Sequence, residues 1–478
     1  MDTPATIEVR NPRSGQIDYT ITPPTEAELR DIAARLRKAQ RTWAARPLED
    51  RLEILGRWAD AITKHADAIG DAEYQDTGRY TLSHQSPYRV VDAIKNWSKI
   101  APAVLRSASL EGRSSTVPSV SFTTQFSPFP LLGVISPWNS PLHASVLDAI
   151  PALIAGCAVL VKPSEIAPRF VAPTIETLEE VPELAAVFQY VTGDGRTGQQ
   201  LIQCVDTVVF TGSVTNGRKV AEACAARFIP AFLEMGGKDA AIVTATADPD
   251  RAATSVLRSS IWSTGQICFS TERVYVHESV HDEFVDALVR KANEVKLSYP
   301  DPRTGHLGPF TLARQASIVD DHIDDALAKG ARLVAGGKSE NLGGGLFMRP
   351  GVLVDVTHDM KIMTEETFGP VTPVMRFATE DEAIALANDS RYGLSASVMA
   401  GDADEARRIG KQLNAGAIAL QDAGLSIAIV HDAEKNSFNL SGLGGSRMGP
   451  NGLLRYFRKK ALIVNEGEPM SILRMGEE

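Results

Sequence analysis

The sequence predicts an α/β fold built around mostly parallel sheets. Short β-branched runs alternate with segments of helical periodicity, which is the pattern of repeated β–α–β units. With 478 residues and 44% apolar content, the chain can bury a large core. We therefore expect an ordinary globular protein of two or three domains.

The order of the elements follows from periodicity along the chain. Three segments with an apolar repeat of 3.6 residues predict an all-helical beginning, at about 26–44, 50–70 and 88–107. Short strands then alternate with helices, at 133–136, 158–161, 188–192 and 207–210. The longest apolar stretch, 146–161, contains Asp148 and Pro151 and is too short to span a membrane. It predicts a core helix that runs into a buried strand.

A β arm is predicted outside this alternation. Residues 117–126 alternate apolar and polar side chains and end near Pro128 and Pro130, which favours an exposed hairpin. Residues 461–464 are also strand-like. Exposed strand edges tend to pair with other chains, so we expect a homodimer or homotetramer.

The charge balance argues against polyanionic partners. The formal net charge of −10 opposes binding to a phosphate backbone or an anionic bilayer, and the short basic run 455–460 is typical of a solvated face. The first residues include Asp2 and Glu8 and lack the apolar run of a secretory signal. We expect neither nucleic acid nor a membrane as a partner.

One of the four cysteines differs from the others. Cys268 follows a turn at Gly265 and precedes strand-like residues 273–276, at an element edge of the kind where catalytic groups sit. The other three cysteines lie in apolar helical or strand segments, where a cysteine behaves as a small apolar side chain; they are Cys157, Cys204 and Cys224. No pair has C-x-x-C spacing, so we expect a reduced cytoplasmic setting. Cys268 is the candidate nucleophile.

Two further residues complete a candidate catalytic set. A thiol is a weak nucleophile near neutral pH unless a base or a positive field supports it. Glu234 lies between apolar Leu233 and Met235, and its carboxylate can serve as that base. Asn139, which follows Pro137 and Trp138, supplies an oxyanion donor.

Two motifs match the sequence patterns of known sites but do not lie in the structural context that those sites require. His277-Glu278-Ser279-Val280-His281 fits the zinc pattern H-E-x-x-H, but His277 closes a strand and the predicted helix covers only 280–295. The two rings therefore cannot share one helical face. Residues 212–217 have the glycine spacing of a Walker loop, but Arg218 and Lys219 stand where Lys and then Ser or Thr are required. We predict no metal site and no nucleoside triphosphate site.

The dinucleotide signals are distributed over several strand ends. Residues 193–198 spell G-x-G-x-x-G, yet the next strand ends at 210–212 without the acidic residue that usually holds a ribose. Lys162 and Glu165 close the strand 158–161, where Glu165 can accept both ribose hydroxyls. Gly212 and Ser213 open the next helix, whose first amides and Ser213 hydroxyl can receive pyrophosphate oxygens.

With these motifs in this order, the chain resembles the NAD(P)-dependent aldehyde dehydrogenase superfamily from about its first residues to near residue 420. The resemblance implies a Rossmann-type cofactor domain, an α/β catalytic domain and a small β oligomerisation arm. It also implies that the dinucleotide is lined by Ile135, Ser136, Pro137 and Trp138. The nicotinamide ribose and ring are expected, by the same resemblance, to be held by Glu366 and Phe368. The predicted cofactor site further includes Ser164, Gly195, Asn216 and Met235.

The resemblance implies a thiol mechanism for oxidising an aldehyde to a carboxylic acid. The Cys268 thiolate attacks the carbonyl, and the Asn139 side chain and the Cys268 backbone amide hold the oxyanion. After hydride leaves for the nicotinamide, Glu234 activates the water that hydrolyses the thioester. NAD is favoured and NADP is possible but less so, because Glu165 repels a 2′-phosphate.

Two other functions stay open at this point. A branch of the superfamily passes the acyl group to coenzyme A, and it typically lacks a carboxylate at the position of Glu234. A catalytically silent homologue that binds the cofactor and has a structural or interaction role is the competing class.

The expected domains are an NAD-binding domain of residues 1–116 and 131–234, a catalytic domain of 235–454, and an arm and tail of 117–130 and 455–478. The chain departs from the family at 422–446, where the usual wall of the substrate tunnel is not recognisable.

The substrate site is predicted around Ser140 and His143. Ser140 stands where many relatives have a bulky aromatic residue, and Leu142, Ala144 and Leu147 offer apolar surface. This predicts a wide tunnel and apolar, aromatic, terpenoid or long-chain aldehydes.

Overall fold

The computed structural model describes residues 5–469 and 471–472. The α-helices of the described residues are α1 (Glu26–Ala45), α2 (Leu48–Lys64), α3 (Ala66–Thr77), α4 (Tyr80–Ala108), α5 (Pro141–Val146), α6 (Ala149–Ala155), α7 (Val171–Glu179), α8 (Pro182–Ala185), α9 (Gly195–Cys204), α10 (Val214–Ala226), α11 (Pro249–Ile261), α12 (His281–Glu294), α13 (Ala313–Ala328), α14 (Lys361–Thr364), α15 (Glu380–Asn388) and α16 (Ala403–Gly410).

The strands are β1 (Ile7–Arg10), β2 (Ile17–Ile21), β3 (Glu111–Arg113), β4 (Val120–Pro128), β5 (Leu131–Ile135), β6 (Ala158–Lys162), β7 (Phe188–Tyr190), β8 (Thr207–Gly212), β9 (Ala231–Met235), β10 (Asp239–Val243), β11 (Thr271–His277), β12 (Arg332–Ala335), β13 (Glu340–Leu342), β14 (Gly345–Phe347), β15 (Gly351–Val354), β16 (Val371–Phe377), β17 (Ser395–Met399), β18 (Ala417–Leu420), β19 (Gly442–Leu443) and β20 (Phe457–Asn465).

Two large sheets confirm the predicted α/β class. The first has six strands in the order β19-β9-β8-β5-β6-β7, and every neighbouring pair is parallel except β19 with β9. The second has seven strands in the order β12-β15-β16-β11-β10-β17-β18, with β12 and β15 as the antiparallel pair. Helices cover the strands because parallel strands of this kind are apolar on both faces.

The helices before the first sheet differ from the predicted all-helical beginning. An antiparallel pair, β1 with β2, comes first. Helix α1 agrees with the prediction and begins at a capping box, in which Thr25 and Glu28 satisfy each other's backbone amides. The segment predicted as 50–70 divides at His65 into α2 and α3. The segment predicted as 88–107 is the later part of α4, which starts at Tyr80.

The predicted hairpin at 117–126 is wrongly placed. These residues lie mostly in one strand, β4, which pairs with β3 on one side and over nine positions with β20 on the other. β3 and β4 do form a hairpin, joined by residues 114–119, whereas β20 is distant in sequence. The arm is therefore a three-stranded sheet that also uses Glu111–Arg113.

The structure also bears on the motifs that were set aside. His277 ends β11 and His281 begins α12, so the two rings do not lie on one helical face. Among the described residues there is no group of three or more His, Cys, Asp or Glu side chains placed to hold a metal ion. The four cysteines are free thiols. No helix in the described part of the chain is long and apolar enough to cross a membrane.

Candidate active site

The carboxyl ends of β5, β6 and β8 meet at one edge of the first sheet, and a cavity of about 520 Å³ opens there. Ligands of open α/β sheets bind at such edges. Eleven of the predicted cofactor residues border this cavity: Ile135, Ser136, Pro137, Trp138, Lys162, Ser164, Glu165, Gly195, Gly212, Ser213 and Asn216. An adjoining cavity of about 480 Å³ is bordered by the other three, Met235, Glu366 and Phe368, and by Asn139 and Cys268. The two cavities share a wall at 211–213.

Charged groups in the first cavity suit a dinucleotide. Lys162 Nζ lies 3.2 Å from Glu165 Oε2, and the lysine is buried whereas the carboxylate is about one-third exposed. Glu165 therefore keeps free acceptor capacity for ribose hydroxyls. Ser213 caps the thirteen-residue helix α10, so the first amides of that helix and its positive end face the cavity.

The G-x-G-x-x-G run does not offer a second phosphate site. Asp194 caps α9 and accepts hydrogen bonds from the amides of Arg196 at 2.9 Å and Thr197 at 3.3 Å. A carboxylate thus already occupies the positive end of this helix, and it would repel a pyrophosphate. This agrees with the expectation that the ordinary fingerprint geometry does not apply.

The loop that carries Glu366 and Phe368 is anchored by a buried ion pair. Glu272 accepts hydrogen bonds from the amides of Thr367 at 2.8 Å and Phe368 at 2.7 Å, and its Oε2 lies 2.9 Å from Lys238 Nζ. Phe368 has a φ of 52° and its ring contacts Trp138 edge-on, with centroids 5.5 Å apart. The loop is held in a strained conformation by this anchor.

Glu366 is half-buried beside other carboxylates. Burial, with smaller effects from Glu272 and Asp239, raises the pKa of Glu366 to about 8 although Lys238 opposes the shift. A Cβ atom on Gly236 would lie only 1.7 Å from Glu366 Oε1, so only glycine permits this approach. Glu366 and the backbone that directly follows β9 therefore meet at the wall of the second cavity.

Cys268 lies on a tight loop after the turn Trp262–Gly265. Ser263, Thr264 and Gly265 all have positive φ values, and a Cβ on Gly265 would meet the carbonyl of Gly369. Burial raises the pKa of the Cys268 thiol to about 11; the charges of Lys435 and Arg447 lower it, whereas Asp239 and Glu366 add to the rise.

Asn139 is held from both sides near this thiol. Its side-chain Nδ2 donates to the Gln266 carbonyl at 3.0 Å, and Arg79 donates to the Asn139 backbone carbonyl at 2.6 Å. An amide nitrogen carries two protons, so one N–H is left after the bond to Gln266. Asn139 and Cys268 border the same cavity, as an oxyanion donor and a nucleophile require.

Glu234 turns to the other side of its strand. Met235 borders the cavity that holds Cys268, and consecutive residues of a strand point to opposite faces. Glu234 Oε2 accepts a hydrogen bond from Ser437 Oγ at 2.8 Å, and Oε1 lies 3.7 Å from Arg447 Nε. Ser437 lies in the segment 422–446 that departs from the family pattern, and Arg447 follows directly after it.

The predicted substrate residues share one partly exposed face. Ser140, His143, Ala144 and Leu147 are half-buried, with the spacing of one helical face. Leu142, predicted to line the tunnel, lies instead in the hydrophobic core. Burial lowers the pKa of His143 to about 4, and the charges of Arg89, Arg447 and His431 add to the shift.

Sequence reasoning missed a buried cluster around Asp148. This carboxylate accepts hydrogen bonds from Arg447 at 2.7 Å, Arg455 at 2.5 Å and Tyr456 at 2.8 Å. Burial alone would raise the pKa of Asp148, but the two arginines hold it below its ordinary value. An acidic residue inside the apolar stretch 146–161 was the signal that could have revealed it.

Comparisons with known proteins identify the family of this chain. The profile of the Aldehyde dehydrogenase family matches residues 1–462. A Methylomonas protein named 4,4′-diapolycopene aldehyde oxidase is 37% identical over 392 residues, which cover 81% of this chain and 72% of that protein. A Mycolicibacterium smegmatis protein provisionally named succinate-semialdehyde dehydrogenase [NADP(+)] is 35% identical over 460 residues, 95% of this chain and 88% of the relative.

A solved structure gives the same result for the fold. An Anabaena variabilis protein, provisionally assigned as an aldehyde dehydrogenase, superimposes with a TM-score of 0.95 at 48% identity. The match covers 98% of this chain and 99% of that one. From the family profile, the relatives and the shared fold, the chain belongs to the aldehyde dehydrogenase family of enzymes.

Proposed function

We propose that this enzyme oxidises an aldehyde to the carboxylic acid through a thiohemiacetal and then a thioester on Cys268. The observation that carries the proposal is the cavity bordered by Cys268, Asn139, Glu366 and Phe368, which adjoins the cleft of Lys162 and Glu165. The Cys268 sulfur bonds to the carbonyl carbon, and the Asn139 side chain and the Cys268 backbone amide hold the oxyanion. NAD, when bound, supplies the hydride acceptor.

Glu234 is the proposed base for the second half of the reaction. It takes a proton from water as the water oxygen bonds to the thioester carbon and the Cys268 sulfur leaves. A carboxylate at this position supports hydrolysis over transfer to coenzyme A. It also argues, with Cys268 and Asn139, against a catalytically silent homologue.

The test uses three variants and a matched control. Cys268→Ala should abolish aldehyde-dependent formation of reduced cofactor while cofactor binding, followed by tryptophan fluorescence, persists; Cys224→Ala is the matched control. Glu234→Gln should accumulate an acyl adduct on Cys268, visible by intact mass. Asn139→Ala should lower turnover by about 10²–10³. Oxidation that persists without Cys268 would refute the mechanism.

For the cofactor, we propose a preference for NAD over NADP. Glu165 offers its free acceptor capacity to ribose hydroxyls and repels a 2′-phosphate, although the succinate-semialdehyde dehydrogenase relative carries NADP(+) in its name. Comparison of kcat/KM for the two cofactors tests this. Glu165→Gln should narrow the difference, and equal values in the unaltered enzyme would contradict the preference.

For the substrate, we propose an aldehyde with an apolar, aromatic, terpenoid or long-chain body. Ser140, Ala144 and Leu147 form a face without large rings, and one relative acts on a diapolycopene aldehyde by its name. A second candidate, an aldehyde that carries a carboxylate, is favoured by the positive charges of Arg89 and Arg447 around His143. Kinetics with decanal, benzaldehyde and succinate semialdehyde separate the two.

The remaining proposals concern organisation. We assign residues 1–116 and 131–234 to NAD binding, 235–454 to catalysis, and 117–130 with 455–478 to the arm and tail, of which 470 and 473–478 lie outside the described residues. The arm supports a homodimer or homotetramer, because β20 is an edge strand with exposed apolar residues 462–464. Four free thiols support a cytoplasmic setting.

A further inference from the structure

The segment 422–447, here called the covering segment, brings polar side chains onto Glu234. It runs from the end of β18 through β19, whose Gly442 pairs with Glu234 in the sheet. Ser437 donates its hydroxyl proton to Glu234 Oε2 at 2.8 Å, and Lys435 Nζ donates to Ser437 Oγ at 3.3 Å. The three groups form a chain from ammonium to hydroxyl to carboxylate.

The chain has a defined polarity. A hydroxyl carries one proton and two lone pairs. Because the ammonium of Lys435 can only donate, it fixes the Ser437 oxygen as an acceptor on that side, and the single hydroxyl proton is left for Glu234. The carboxylate is therefore held by a donor whose own orientation is set.

A second cation approaches the same carboxylate. Arg447 Nε lies 3.7 Å from Glu234 Oε1, but the hydrogen bonds of Arg447 go to Asp148 at 2.7 Å and to Thr211 at 2.8 Å. Lys435 is therefore the cation whose hydrogen bond leads to the base, through Ser437.

We propose that Ser437 and Lys435 are positioning residues for the second half of the reaction: Ser437 holds the Glu234 carboxylate, and Lys435 orients Ser437. The proposal rests on the roles of Cys268 and Glu234 given above. A carboxylate held in one orientation is ready to take the proton of the attacking water. The positive charge of Lys435 also lowers the pKa of the Cys268 thiol, which agrees with a place for this lysine at the site.

The Ser437 part is tested by separating the two halves in time. In Ser437→Ala, the initial burst of reduced cofactor should keep its amplitude while the steady-state rate falls about tenfold and acyl-enzyme accumulates by intact mass. Ser437→Thr, which keeps the hydroxyl, should restore most of the steady-state rate. Ser426→Ala, in the same covering segment, is the matched control. A loss of burst and steady state together, or an unchanged steady state in Ser437→Ala, would overturn the positioning role.

The Lys435 part is tested by the same burst measurement. In Lys435→Met, the burst should keep its amplitude while the steady-state rate falls several-fold, because the Ser437 hydroxyl loses the donor that orients it. Lys435→Arg, which keeps a donor, should restore most of the steady-state rate, and Lys411→Met, on the exposed end of α16, should leave it unchanged.

Two outcomes would overturn this part. One is an unchanged steady-state rate in Lys435→Met. The other is a raised KM for succinate semialdehyde with an unchanged kcat, which would make Lys435 a substrate-binding residue instead. If Glu234→Gln accumulated acyl-enzyme while Ser437→Ala and Lys435→Met did not, the positioning roles would fail and the mechanism would stand, whereas activity retained in Cys268→Ala would refute the mechanism itself, so the two failures are distinguishable.

Discussion

The buried pair Lys238–Glu272 should be among the most sensitive positions of the second sheet. Both side chains are almost completely buried, and Glu272 accepts three hydrogen bonds: from Lys238 Nζ and from the amides of Thr367 and Phe368. In Glu272→Gln, the side-chain oxygen can still accept hydrogen bonds from Lys238 and from the Thr367 amide. The side-chain NH₂ group then points at the backbone N–H of Phe368, so two donors face each other without an acceptor. The lysine ammonium also loses its counter-charge.

The expected loss in the free energy of unfolding is about 3–5 kcal/mol, the usual cost of leaving one buried partner without its counter-charge. Urea denaturation followed by tryptophan fluorescence measures it. The double variant Lys238→Met/Glu272→Gln removes the unpaired ammonium and should return to within about 2 kcal/mol of the unaltered protein. Glu380→Gln, which breaks an exposed pair with Arg408, is the control and should cost less than about 1 kcal/mol.

The reasoning is refuted if Glu272→Gln costs less than about 1 kcal/mol, or if the double variant is no more stable than the single one. A functional measurement accompanies the stability. Removal of the Glu272 charge takes away one of the effects that raise the pKa of Glu366, so this pKa should fall below about 8.

Three further predictions concern the nucleophile, the substrate face and the arm. Because burial raises the pKa of Cys268 to about 11, the rate of its alkylation by iodoacetamide should rise about tenfold per pH unit between pH 7 and pH 10. A rate that reaches its plateau below pH 8 would contradict this. Ser140→Phe should depress turnover of decanal more than that of acetaldehyde, and an equal effect would remove Ser140 from the tunnel. Ile463→Asp should reduce the mass measured by light scattering to that of a monomer, whereas Phe228→Asp, at another exposed site, should not; an unchanged assembly in Ile463→Asp would place the interface elsewhere.

Local patterns in the sequence were sufficient for the elements that depend on neighbours. The parallel strands of the first sheet are specified by β-branched runs, and helix α1 is specified by the Thr25–Glu28 capping box; both signals can be recognised within a few residues. The predicted cofactor residues all border the two joined cavities, because strand ends of a parallel sheet converge at one edge.

What could not be predicted depends on contacts between distant residues. Proline argues against a helix interior, yet α4 continues through Pro87 and Pro102 and is packed against α2 and α3. The main partner of β4, which is β20, lies more than three hundred residues away, and the alternating pattern of β4 does not reveal it. The covering segment contains no regular apolar period, and its contacts with Glu234 exist only once the sheet has brought β19 beside β9.

The pairing of β20 with β4 has a consequence for the order in which a chain can be finished. Arg458 and Pro128 are 330 positions apart, so β4 leaves the ribosome long before its main partner has been made. Until then one side of β4 and the edge of β9 are open to other strands. Only a completed chain can close both edges and present the exposed row 462–464, so an assembly built through the arm would admit finished chains and leave out truncated ones.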